Sequence, residues 1–161
     1  MSTTIGFLTI PLPAASLPKT VSDLSDVSML FDPATSLGGG SCNGVVFGMI
    51  ELIAADQGLV HLGHLSEKAA TLSPAQLPAA IDDLQRILSH WREEPDAPLR
   101  ITRSDFPPAA EILALLDQPA SLQPENDDWD DVPFLIAVLK GHLSVLLSAK
   151  ANGQWIVHAK S

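Results

Sequence analysis

Five apolar residues fix the first element of this chain. Leu77, Ile81, Leu84, Leu88 and Trp91 recur at steps of three and four, which lays them along one stripe of an α-helix. Ser73 offers an N-cap, Pro74 suits the first helical position and Gln76 completes a capping box, so a helix is predicted over 74–91. Such a stripe must be buried against other elements. At 161 residues, 46% of them apolar and 17% charged, the chain can supply one ordinary domain with a core.

The flanking segments read differently. Thr4 to Ile10 predicts a short strand, followed by a proline-punctuated loop through Pro18. After the glycine run 38–40, Cys42 to Ala55 predicts a second helix that ends near Gly58. "LVHLGHL" reads as loop or strand. Asp105 with Pro107 and Pro108 opens a further helix bearing Ile112, Leu113 and Leu116, so the stretch from about 66 to 119 is expected to be helical. Residues 133–159 could form one buried helix. Gly141 interrupts that run, however, and Asn152-Gly153 is a hairpin signal. Three strands are therefore preferred, Pro133–Leu139, His142–Ser148 and Gln154–Ala159. The fold class expected is α+β, with one domain over 1–161.

Charge and cysteine usage narrow the partners. A net charge of −10 disfavours nucleic acid and anionic membrane, and permits a basic partner without requiring one. The single cysteine excludes an internal disulfide and suits a reducing compartment. "MSTTIGFLTIPLPAAS" lacks a basic leader region, so no classical signal peptide is expected, leaving a cytoplasmic location or export by a signal-independent route. No apolar stretch is read as a membrane span.

The chemistry suggested by the sequence centres on Cys42. A thiol at a helix start feels unsatisfied N–H groups that favour the thiolate. A neighbouring imidazole would lower its pKa further and serve as general base and acid. The preceding glycines would let substrate approach, and the Cys42 backbone N–H could bind an oxyanion. "SCNGVVFGMIE" resembles the Cys-headed helix of the papain-like cysteine hydrolases, in particular NlpC-type peptidases. "GHLSVLLSAKANGQWIVHAKS" is similar to their histidine strand, turn and following strand. Asn43 stands where that family usually has Ser. The hundred residues between Cys42 and His142 resemble more closely the layout of YopT-type effector proteases and papain-like toxin domains.

The resemblance implies a papain-like fold: a Cys-headed helix plus a helical insertion, packed on a C-terminal antiparallel sheet. Cys42 would be the nucleophile, His142 the base and His158 the orienting third residue. The implied reaction is hydrolysis of a peptide or amide bond in a peptide or protein substrate through a thioester, with no cofactor. The alternative from another class is a non-enzymatic acidic binding protein, such as an immunity protein neutralising a basic toxin. "ENDDWDD" (125–131) would then offer Trp129 in an acidic rim as a contact surface; from Ser104 to Leu139 there are eight acidic residues and no basic one. His61, His64 and Glu67 could share a helix face as metal ligands, but Gly63 argues against that helix and no metal is expected. His90 lies on the polar face of its helix.

Overall fold

Alternation along the first strand decides how the layers stack. The computed structural model describes residues 4–43, 45–97, 108–124 and 131–161. Strands β1 (Thr4–Leu12), β2 (Leu37–Asn43), β3 (Ala69–Leu72) and β4 (Trp155–Lys160) form a sheet in the order β2-β1-β4-β3. Each neighbouring pair is antiparallel. On β1, Leu8, Ile10 and Leu12 meet Val157 and Ala159 of β4 on one face, under Val27 and the partly buried Leu17, Leu24 and Phe31. Phe7 of β1 and Ile156 of β4 join the larger cluster on the opposite face. That face carries the helices α1 (Val45–Gln57), α2 (Leu77–Glu93), α3 (Ala109–Asp117) and α4 (Asp131–Ala151). The protein is thus a mixed α+β fold with its sheet between a helical layer and the short 3₁₀ turns Leu24–Asp26 and Ser28–Leu30.

The predicted stripe is buried where it was expected. Leu77, Ile81, Leu84 and Trp91 are enclosed and Leu88 packs beside them. The helix itself begins at Leu77 rather than Pro74. Residues 73–76 form a turn, with Gln76 N–H donating to the Ser73 carbonyl and the Gln76 side chain accepting from Ser73 N–H at 2.8 Å. Half of the expected capping box is therefore present, one turn ahead of the helix proper. Ile112 and Leu116 of α3 face the same core.

Residues 133–151 overturn the expectation of strands. They belong to α4, which runs unbroken through Gly141. The helix contacts β1, α1, α2, α3 and β2, so its buried residues lie all round it and no stripe shows in the sequence. Gly141 marks a close approach: a Cβ there would stand 2.6 Å from Leu37 Cδ1 and 2.7 Å from the Ser121 carbonyl oxygen. Asn152-Gly153 ends the helix and is not a hairpin turn. Gly153 takes φ +62°, its N–H reaches the Lys150 carbonyl, and Gln154 N–H reaches the Ala149 carbonyl. This is the paired hydrogen-bond pattern of a Schellman cap.

Five further expectations are corrected. The sheet is not C-terminal: only β4 comes from the C-terminal segment, and β1 at its centre comes from the N-terminus. The stretch 66–119 contributes strand β3 as well as helices. Cys42 does not head a helix, since its backbone lies in β2 opposite Ile5 and α1 begins at Val45. The segment Val60–Leu65 is a 3₁₀ turn instead of a loop or strand. Among the described residues one helix, Val132–Ala151, is long and apolar enough by length and composition to cross a membrane, contrary to the sequence reading. Here it is the central core helix, with Leu135, Ile136, Val138, Leu139, Val145 and Leu146 enclosed.

Candidate functional site

Three elements each turn one imidazole into the same enclosed space. His64 comes from the 3₁₀ turn Val60–Leu65, His142 from the middle of α4 and His158 from β4. Their ring centroids lie 5.1 Å (His64 to His142), 6.1 Å (His64 to His158) and 6.2 Å (His142 to His158) apart. His142 and His158 have no exposed surface, and His64 is 6% exposed. Alternation on β4 accounts for His158, which shares the helix-facing side with Ile156 while Val157 and Ala159 face away. Thr9, its register partner on β1, is fully buried and lies 3.0 Å from His158 Nδ1 through its hydroxyl.

The protons can be placed from the hydrogen bonds. A carbonyl only accepts, so His64 Nδ1 must donate to the His61 carbonyl 3.0 Å away. In the neutral ring His64 Nε2 then accepts, and His142 Nε2, 2.9 Å away, donates to it. Among the described residues that leaves His142 Nδ1 as a lone pair without a hydrogen-bond partner. Burial holds all three rings in the neutral form. Desolvation lowers His64 to about 4, against a smaller opposing effect of the His61 carbonyl. It lowers His158 to about 3, helped by His64 and Lys160 and opposed by the Leu65 backbone. It lowers His142 well below the ordinary range, with His64 and His158 adding to the shift.

The expected site residues are only partly united. His142 and His158 do come together, though from a helix and a strand and not from two strands of one hairpin. His64, considered from the sequence only as a metal ligand, completes the group. Cys42 belongs to another part of the sheet: it stands opposite Ile5 and His158 stands opposite Thr9. Four residues along β1 amount to about 13 Å, and β1 itself lies between the two strands, which adds about 10 Å across the sheet. The Cys42 side chain and the Trp129 surface at 125–130 lie outside the described residues.

His61 points away from the cluster, exposed, while its backbone N–H donates to buried Asp83 at 2.9 Å. Among the described residues no group of three or more His, Cys, Asp or Glu is placed to hold a metal ion. Within the histidine cluster, the Nε2 atoms of His64 and His142 are turned onto each other and His158 Nδ1 onto Thr9. The surface clefts among the described residues include one of about 340 Å³ between α1 and residues 58–66 and one of about 400 Å³ among α2, α3 and α4. Neither is lined by any of the three histidines. No family model, curated protein or solved structure matches the chain.

Proposed function

We propose that this protein is a non-enzymatic acidic binding protein that holds a basic protein partner. The observation that carries the reading is a surplus of ten negative charges, 19 acidic residues against nine basic ones. Such a surplus raises the local concentration of a basic partner and speeds its capture. The enclosure of His142 and His158 supports the same reading. A general base has to meet the proton that it takes, and both rings are enclosed in the core. A thiol hydrolase built on Cys42 would need an imidazole from elsewhere.

Three measurements test this. A basic partner captured from a lysate of the source organism, then purified, should bind in calorimetry with an affinity that falls as NaCl rises from about 0.05 to about 0.5 M. Cys42→Ala should bind it equally well. Turnover of a peptide or amide reporter by the natural chain, lost in Cys42→Ala, would overturn the binding reading in favour of the peptidase. Alkylation of Cys42 at neutral pH should be no faster than that of an ordinary thiol, whose pKa is about 8.5.

A further inference from the structure

The histidine cluster joins the 60–65 turn, α4 and β4, and every one of its rings is enclosed. We propose that His64, His142 and His158 form an acid-operated latch, which holds these elements together while the rings are neutral and opens them in mild acid. This does not depend on the binding reading, since it concerns the core and not the surface.

The geometry tolerates the neutral rings and nothing more. One added proton would place a cation in the core. The second would set N–H donors head to head across the 2.9 Å contact between His64 and His142. Among the described residues the surroundings show no anion that answers either charge, Glu51 and Asp56 of α1 and Glu67 beside the turn all being exposed. The 60–65 turn presents the backbone of His61 and Leu65, and β1 presents the Thr9 hydroxyl. On β4, Lys160 adds a further positive charge near His158. The other charged group of α4 nearby, Lys140, donates to the carbonyls of Leu115 and Gln118. From α2, Asp83 is turned to the His61 N–H, with Arg86 3.9 Å away. Among the described residues no carboxylate contributes to the shift of any of the three rings.

Linkage then fixes the direction. In the opened chain each ring returns to about 6.5, whereas in the fold all three are depressed, His64 to about 4 and His158 to about 3. Above about pH 6.5 both states are neutral and the fold keeps its full stability. As pH falls below that value the opened state takes up protons that the fold refuses, and stability drops until the depressed values are reached. Each ring contributes a tenfold change in the folding constant per pH unit, so three approach about a thousandfold. By about pH 5 the accumulated change is about 10⁴-fold, within the span of about 10³ to 10⁸ over which small domains are held folded.

The test is urea unfolding of the full chain, with a chelator present, from about pH 7.5 down to about pH 5, above the range where ordinary carboxylates titrate. The folding constant should be nearly level at the top and then steepen toward three decades per pH unit. His64→Gln, at the most accessible of the three positions, should reduce the limiting slope to two decades. Imidazole nuclear magnetic resonances of the natural chain should show three rings that remain neutral for as long as the fold persists, a readout that needs no variant to fold. A limiting slope of one decade or less would overturn the latch. So would any of the three rings titrating near pH 6.5 with the fold intact, or a rise in stability on adding Zn²⁺, which would make the nitrogens ligands.

Discussion

Gly141 occupies a helix interior, where alanine would ordinarily be better by about 1 kcal/mol. In this fold the sign reverses. An added Cβ meets Leu37 Cδ1 at 2.6 Å and the Ser121 carbonyl oxygen at 2.7 Å. The leucine methyl can shift, but the carbonyl belongs to the backbone. Overpacking of this kind costs about 1–3 kcal/mol, which exceeds the gain in propensity. Gly141→Ala should therefore lower stability by up to about 2 kcal/mol, read as a lower urea midpoint at an unchanged slope. A variant as stable as the natural chain would show that α4 does not approach Leu37 and Ser121 so closely. The histidines show the same dependence on context. From the sequence, His142 and His158 are paired through two expected neighbouring strands and the papain-like resemblance, whereas His142 lies on α4. His64 carries no signal that ties it to them, since the contact depends on how the 60–65 turn packs against α1, α2 and β3.

At the scale of elements, α2 was legible and α4 was not, for one physical reason. One side of α2 meets the core and the other meets solvent, so the stripe from Leu77 to Trp91 appears in the sequence. The buried residues of α4 come from all sides, among them Val138, Leu139, Val145 and Leu146. A continuous apolar run does not distinguish a buried helix from buried strands. The punctuation then misdirects, since Gly141 serves a close contact and Asn152-Gly153 closes a helix. Gly153 provides the test. It has φ +62°, and nothing lies within 4 Å of where its Cβ would be. Gly153→Ala should thus cost only the left-handed strain, about 1–2 kcal/mol. Gly153→Asn should cost less, because asparagine tolerates that region. Equal losses in a thermal melt for the two variants would point to a steric origin and count against the cap.

Over the whole molecule the charge was legible from composition, whereas the order β2-β1-β4-β3 was not, because it pairs the N-terminal strand with the last one. The ten-charge surplus also acts on the fold itself. Like charges on a closed surface repel, and the compact state suffers more from this than the opened chain. The ion pairs Arg86–Asp83 and Arg92–Asp117 offer little compensation, because each arginine is more than half exposed to solvent. Salt should therefore stabilise this protein. Raising NaCl from about 0.02 to about 0.5 M shortens the screening length from about 20 Å to about 4 Å. The melting temperature should climb by about 2–4 °C, as about 1 kcal/mol would give a domain of this size. A fall would mean that attractive pairs outweigh the repulsion. The same screening weakens attraction to a basic partner, so stability and affinity should move in opposite directions along one salt series. Opposite movement ties the lost affinity to electrostatics, because a fold that is growing more stable cannot be losing its partner by unfolding.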